Sequence, residues 1–417
     1  MGFFQSNVLS ADEATGKETR QPMKRTLQEL LRALSENLPD IPFEVRFWDG
    51  DTEAFGSGVP LFTVTFTTRE AAKNLLSTGP LGFREDYVSG NINVEGDFQQ
   101  LLRVCMDPRA QYVKLPLRTR AAVLFQHLAS LNTIGRSQRN IARHYDLGDE
   151  LFKLYLDESM TYSCAYFRSE TDTLEQAQTR KYQHICRKLQ LKEGETLVDI
   201  GCGWGGMLLY AARHHNVKGL GCTLSDRQTE YAKERLAQEG LQERITVIRE
   251  DYRNITGQFD KLVSIGMFEH VGKGFIPSFM EKTKALLKPG GVGLLQTIGK
   301  ERHTVGDVWT TRYVFPGSYI PALDHVLRTM GEKGLIPVDI ENLRLHYAAT
   351  LDEWGRRFEA NTRKVEQMFG SSFVRMWRMY LNGSAAAFRW GDLRVYQILF
   401  TNGLNNSLPM TREHLDR

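Results

Sequence analysis

The sequence predicts an α/β protein: a Rossmann-like, seven-stranded, mostly parallel sheet with a helical insertion, preceded by a smaller N-terminal α+β domain. Three observations predict it. From Thr196 onward, short β-branched runs alternate with helical spacing, the pattern of strands joined by crossover helices. Val198-Asp199-Ile200-Gly201-Cys202-Gly203-Trp204-Gly205-Gly206 then sets a glycine-rich turn between one such run and a helix. Finally, 417 residues with 41% apolar and 25% charged side chains supply material for two hydrophobic cores.

Taken in order, residues 1–25 mix polar and charged residues with Gly and read as a flexible lead-in. Helical spacing begins at Met23 and continues through Leu27, Leu30, Leu31 and Leu34. Alternation in Phe43-Glu-Val45-Arg-Phe47 and Leu61-Phe62-Thr-Val64-Thr-Phe66 predicts two strands, with Asp49, Gly50, Gly56 and Gly58 forming the turn between them. Residues 26–125 are thus read as the N-terminal domain, 126–175 as a helical connector and 176–417 as the sheet domain. Its strands are expected at 196–200, 217–222, 245–249, 261–265, 293–298, 338–345 and 395–400. The helix opened by the glycine turn is expected over 207–214. Residues 350–388 are too long, aromatic and basic for one crossover, which predicts a helical insertion over the carboxyl edge of the sheet.

A formal charge of +3 does not by itself point to nucleic acid, so local clustering has to decide. Between Pro108 and Tyr145 the chain carries Arg109, Lys114, Arg118, Arg120, Arg136, Arg139 and Arg143 without one Asp or Glu. A solvated helix face explains such a run. Attraction to an anionic membrane surface explains it better, since each such residue near the leaflet is worth about 1 kcal/mol. No aromatic stacking motif supports nucleic acid. Five cysteines, without paired C-x-x-C spacing, fit a reducing, cytoplasmic setting and no metal site. No window approaches the roughly 18 to 20 apolar residues of a spanning helix, so contact with lipid is expected to be peripheral, on the inner face of the membrane.

The glycine turn brings backbone close to a ligand, and the helix behind it offers unpaired N–H groups. Asp199 and the compact D-x-G-x-G-x-G spacing, through Gly201, Gly203 and Gly205, favour a methyl donor over a dinucleotide. The second strand ends without an acidic residue, in Gly221-Cys222-Thr223-Leu224-Ser225, which assigns ribose contacts to Thr223, Leu224 and Gln228. Helix capping accounts for Ser225 equally well. Asp251, Tyr252 and Arg253, after the third strand, are placed to meet the adenine.

Together with His144-Tyr-Asp-Leu-Gly148, Met160-Thr-Tyr-Ser-Cys164-Ala-Tyr-Phe167, Gly266-Met-Phe-Glu269-His-Val-Gly272 and Tyr347-Ala-Ala-Thr-Leu-Asp-Glu-Trp354, these motifs closely resemble the cyclopropane fatty acid and mycolic acid synthase family, over roughly residues 40–405. The resemblance implies a class I methyltransferase using S-adenosyl-L-methionine, with Tyr162 and Ser163 added to the donor site. It implies lipid association for the N-terminal domain and unsaturated phospholipid acyl chains as substrate; a homodimer is left open. The alkene attacks the sulfonium methyl, a carbocation forms, and loss of a proton from the transferred methyl closes a cyclopropane. Such chemistry needs a dry slot and a nearby base. Aromatic faces of Tyr162, Tyr166 and Phe268 are candidates to steady the cation.

In the family the base resembles a bound bicarbonate, and the matching positions are Cys164, Glu269, Gln296, Ile298 and Tyr347. A histidine is expected where this chain has Gln296. An amide still donates a hydrogen bond but takes no proton, so either the ring closes with weaker bicarbonate or a methylene- or methyl-branched chain results. Ser384 stands where relatives often carry cysteine, and Cys164 has no basic neighbour in sequence, so neither is a thiolate nucleophile. His270 reads as packing, Cys202 and Cys222 as small buried residues beside the cofactor, and the Met376-Trp377-Met379-Tyr380 cluster as either core or acyl-chain wall. The rival readings are N-methylation of a small amine and an inactive lipid-binding protein.

Overall fold

The computed structural model describes residues 21–107, 109, 147–304 and 306–415, and it divides into two compact units, residues 1–126 and 127–417. The connector's first part, residues 126–146, which includes His144, Tyr145, Asp146, Arg136, Arg139 and Arg143, lies outside the described residues, as do Lys114, Arg118 and Arg120.

The first unit runs α1 (Gln21–Asn37), β1 (Phe43–Arg46), β2 (Thr52–Phe55), β3 (Phe62–Phe66), α2 (Arg69–Thr78), α3 (Pro80–Ser89), β4 (Ile92–Gly96) and α4 (Phe98–Met106). The helix begins at Gln21, so residues 21–25 are not part of a flexible lead-in; Leu27 and Leu31 on its apolar face are buried. The sheet order is β2-β1-β3-β4. Where the sequence suggested two strands joined by a turn, β1 and β3 pair in parallel and β2 folds back antiparallel on β1. Phe43 explains the arrangement, since its ring stacks on Phe55 at 5.1 Å and on Phe62 at 5.3 Å. Arg109 is held by its own unit, donating to Asp40 and to Asp107 at 2.8 Å each. Its guanidinium is therefore engaged by carboxylates rather than presented as free charge.

The second unit contains α5 (Asp149–Lys153), α6 (Leu174–Leu189), β5 (Thr196–Ile200), α7 (Gly206–His215), β6 (Lys218–Thr223), α8 (Asp226–Gln238), β7 (Ile245–Arg249), β8 (Phe259–Ile265), α9 (Ile276–Leu286), β9 (Leu287–Gly299), α10 (Val308–Tyr313), α11 (Leu323–Glu332), β10 (Leu335–Asn342), α12 (Arg344–Ala360), α13 (Thr362–Phe369), α14 (Ser371–Arg389) and β11 (Arg394–Asn402). The seven strands lie in the order β10-β11-β9-β8-β5-β6-β7, with β11 antiparallel to both neighbours. Ile185, Leu208 and Leu236 from α6, α7 and α8 cover one face; Phe279, Met280, Val326 and Met330 from α9 and α11 cover the other. Both faces of the inner strands are therefore apolar, which is why they read as continuous β-branched runs.

The sixth predicted strand is displaced. It spans Leu335–Asn342, and the Asn342 side chain accepts from the Arg344 amide at 3.0 Å as α12 begins, so residues 343–345 are not strand. The insertion begins earlier than predicted and is three helices, interrupted at Asn361 and at Gly370, whose φ of 86° lies in the left-handed region.

Candidate active site

At the carboxyl ends of β5, β6 and β8, where open α/β sheets bind ligands, a cavity is lined by eleven of the predicted donor residues: Tyr162, Ser163, Asp199, Gly201, Gly203, Thr223, Leu224, Gln228, Asp251, Tyr252 and Arg253. The twelfth, Gly205, does not line it. It caps α7 with φ 81°, and a Cβ there would sit 3.1 Å from the Ala232 Cβ, so its task is backbone shape. Gly201 is needed at the cavity itself: its φ is 83°, and a Cβ would meet Met267 Cγ at 2.5 Å. The amides of Gly201 and Cys202 both donate to the Cys222 carbonyl at 3.0 Å, which ties the turn to β6.

Ser225 caps α8, donating no contact to the cavity, while Thr223 Oγ1 donates to Gln228 Oε1 at 2.7 Å and fixes that side chain. Asp251 accepts from the Arg253 amide and is clamped by its guanidinium at 2.8 and 2.5 Å. Cys202, Cys222 and half-buried His270 line the same space, and burial pushes His270 down to about 4, so it is neutral. Trp204, from the glycine turn, donates to Asp149 of α5 at 3.0 Å. Asp199 is buried, its Oδ1 has no hydrogen-bond partner, and burial pushes it up to about 7 against the pull of Lys181.

Sequence reasoning missed Lys181. It lies on α6 with no exposed surface, lines the cavity and donates to Ser163 Oγ at 3.0 Å. A lysine in a helix reads as solvated. The available signal was its spacing, for Ala177, Lys181, His184 and Lys188 follow the same buried face as Leu174 and Ile185.

None of the five residues matched to the base site lines that cavity, yet backbone hydrogen bonds draw them to one region beside it. Glu269 follows β8 and accepts from the Ile298 amide of β9 at 2.6 Å. Ile298 is in register with Val395 of β11, whose carbonyl accepts from Leu343 at 2.8 Å. The Leu343 carbonyl in turn accepts from the Tyr347 amide at 3.1 Å and lies 3.9 Å from Cys164 Sγ. Gln296, two residues before Ile298 on the same strand face, accepts from Gln397 at 2.9 Å. Glu269 Oε2 is buried without a hydrogen-bond partner, and burial pushes the carboxyl up to about 7, opposed by the Ile298 amide. Burial also raises the Cys164 thiol far above its usual value, so it is not a nucleophile.

The Cys164 loop is docked on the insertion. Ala165 donates to Thr350 Oγ1 at 3.0 Å and Phe167 to His346 Nδ1 at 3.1 Å. Tyr162 packs on Trp354 at 5.1 Å and its hydroxyl lies 2.8 Å from that of Tyr380, so Trp377 and Tyr380 belong to an aromatic layer with Tyr155, Tyr162 and Trp354. Of three rings expected to face a cation, only Tyr162 lines the cavity. Tyr166 is sandwiched between His184 at 4.2 Å and His346 at 4.7 Å, which cover both faces, and Phe268 is buried against Phe279 at 4.9 Å.

The family described as mycolic acid cyclopropane synthetase matches residues 133–398, and a domain of unknown function matches residues 30–114. The chain is 34% identical over 390 residues to a probable fatty acid methyltransferase of Pseudomonas putida, covering 90% of this chain and 97% of that one. It is 37% identical over 345 residues to the cyclopropane-fatty-acyl-phospholipid synthase of Escherichia coli K12, covering 82% and 88%. A mycolic acid cyclopropane synthase solved in complex with SAH and CTAB superposes with a TM-score of 0.60 at 31% identity, over 63% of this chain and 98% of that one. A glycine turn opening onto a cavity at the carboxyl edge of a seven-stranded sheet, in a chain with these relatives, belongs to the mycolic acid cyclopropane synthetase family: the protein is an S-adenosylmethionine-dependent methyltransferase.

Proposed function

We propose that the protein transfers a methylene unit from S-adenosylmethionine to the cis double bond of an unsaturated acyl chain in membrane phospholipid, giving a cyclopropane fatty acid. The observation that carries this reading is the buried Glu269 carboxyl, with one oxygen held by the Ile298 amide and the other without a hydrogen-bond partner, next to the donor cavity. Methyl transfer to an alkene leaves positive charge on carbon, and the ring closes only when a proton leaves the new methyl. A carboxyl held near 7 exchanges that proton close to neutrality. The aromatic layer of buried Tyr155, Trp354 and Trp377 behind half-buried Tyr162 excludes the water that would capture the cation.

Bicarbonate fits this donor set in part. The free Glu269 Oε2 suits its O–H, whereas the Ile298 amide is already donated to Oε1. Cys164, Glu269, Gln296, Ile298 and Tyr347 would hold it, and it would supply a proton acceptor. The Gln296–Gln397 hydrogen bond favours a second reading on the same substrate. With its carbonyl engaged and no ionisable group, Gln296 cannot relay a proton; the cation then either loses a proton from the chain, giving a methyl-branched alkene, or undergoes a 1,2-hydride shift and loses a proton from the transferred methyl, giving a methylene branch.

Incubation with methyl-labelled donor and phospholipid vesicles bearing cis-unsaturated chains tests both. Label in the organic phase with a mass gain of one CH₂ and a product resistant to double-bond cleavage supports the cyclopropane. A cleavable methylene branch supports the second reading. Label confined to a water-soluble amine, or none transferred, sinks the lipid assignment.

A further inference from the structure

The methyl donor carries an amino-acid end with a carboxylate, and a cavity that holds it needs a positive group there. Among the described residues lining the cavity, three side chains can bear positive charge: Lys181, Arg253 and His270. Arg253 is clamped by both oxygens of Asp251. His270 is neutral, because burial pushes it down to about 4. Lys181 is different: it has no exposed surface, and no carboxylate among the described residues is its ion-pair partner. Its Nζ donates to Ser163 Oγ at 3.0 Å and sits 4.5 Å from the centre of the Tyr182 ring. Asp199, a buried carboxyl with an oxygen lacking a partner, faces the same cavity from β5. A buried ammonium with no carboxylate in ion-pair contact is costly, and a ligand anion offsets that cost.

We propose that Lys181, with the Ser163 hydroxyl it holds, is the receptor for the carboxylate of S-adenosylmethionine. This rests on the cavity being the donor's seat. One charge-assisted hydrogen bond of this kind corresponds to about 10- to 100-fold in affinity. Lys181 is thus a donor-binding residue, and the long helix α6 supplies the methyl donor's anchor as well as covering the sheet.

Calorimetric titration of the full chain with S-adenosylhomocysteine and with its decarboxylated analogue tests the assignment. Lys181→Met is expected to weaken S-adenosylhomocysteine by about 10- to 100-fold while changing the analogue less than about twofold. Equal losses for both ligands, or no loss for either, overturn it. Should Lys181→Met fail to fold, the unaltered protein decides. Asp157, Asp199, Cys164 and Tyr182 face Lys181, and burial holds the ammonium at about 8 against the charges of Asp157, Cys164 and Asp199. The preference for S-adenosylhomocysteine over the analogue is therefore expected to shrink as pH rises through about 8; the amine of the analogue is the more basic of the two, so the comparison is read from about pH 6.5 to about 8.5, where both amines are largely protonated. A ratio constant over that span overturns the assignment. An unaltered protein that binds neither ligand overturns the donor seat itself, a distinct result.

Discussion

Burial brings Glu269 and Asp199 to about 7, so each keeps its proton in the folded protein at pH values where the unfolded chain has released it. The sign follows: stability tied to these groups is complete below the unfolded carboxyl value and declines as pH rises toward about 7. Glu269→Gln, which keeps the shape and removes the ionisation, is therefore expected to stabilise the fold at pH 8 by at most on the order of 3 kcal/mol, with little gain at pH 5. Melting curves at the two pH values check this; an equal gain at both would rule out ionisation as its cause. The same variant is expected to lose about 10²- to 10⁴-fold in turnover if the carboxyl handles the proton. Gly201→Ala acts by shape instead. At φ 83° and with Met267 Cγ 2.5 Å from the new Cβ, strain of about 1 to 3 kcal/mol falls on the donor turn, so binding of S-adenosylhomocysteine measured by calorimetry should drop by about 5- to 150-fold.

Helix α12 does two jobs, since it carries Tyr347 and receives the Cys164 loop through Thr350 and His346. Thr350→Val keeps the volume but strands the buried Ala165 amide, a change that costs about 1 to 3 kcal/mol. A lowered melting temperature with reduced turnover and unchanged S-adenosylhomocysteine affinity is expected; unchanged turnover would show that the loop holds its place without this bond. Such couplings were illegible in the sequence, because Ala165 and Thr350 are far apart along the chain. What was legible was local: five strands between Thr196 and Ile298 and the turn at Gly201 follow from periodicity and glycine spacing. Strand β2 was not, since only Phe55 of its four residues is buried and no alternation develops. Edge strand β10 was drawn late because Ile336 and Val338 are exposed, 37% and 46%, and blur the pattern. Tyr166 looked available to a cation until His184 and His346 were seen on its two faces.

For the whole chain, charge and membrane are the open pairing. Among the described residues no helix is long and apolar enough to cross a membrane, and Arg109 is ion-paired to Asp40 and Asp107 within its own unit. Arg109→Ala is accordingly expected to lower the thermal stability of the N-terminal unit and leave vesicle binding unchanged; weakened binding with unchanged melting would assign Arg109 to the lipid. If the remaining basic residues draw the protein to anionic lipid, co-sedimentation with anionic vesicles falls as salt rises, since exposed charges are screened beyond about 8 Å at physiological ionic strength. Strand β11 has a different consequence. It lies between β9 and β10 and follows both of them in the chain, and its Val395 is in register with Ile298, the residue that holds Glu269. During synthesis β9 keeps an open edge beside Ile298 until β11 has been made, so the strand that supports the Glu269 contact gains its second neighbour late.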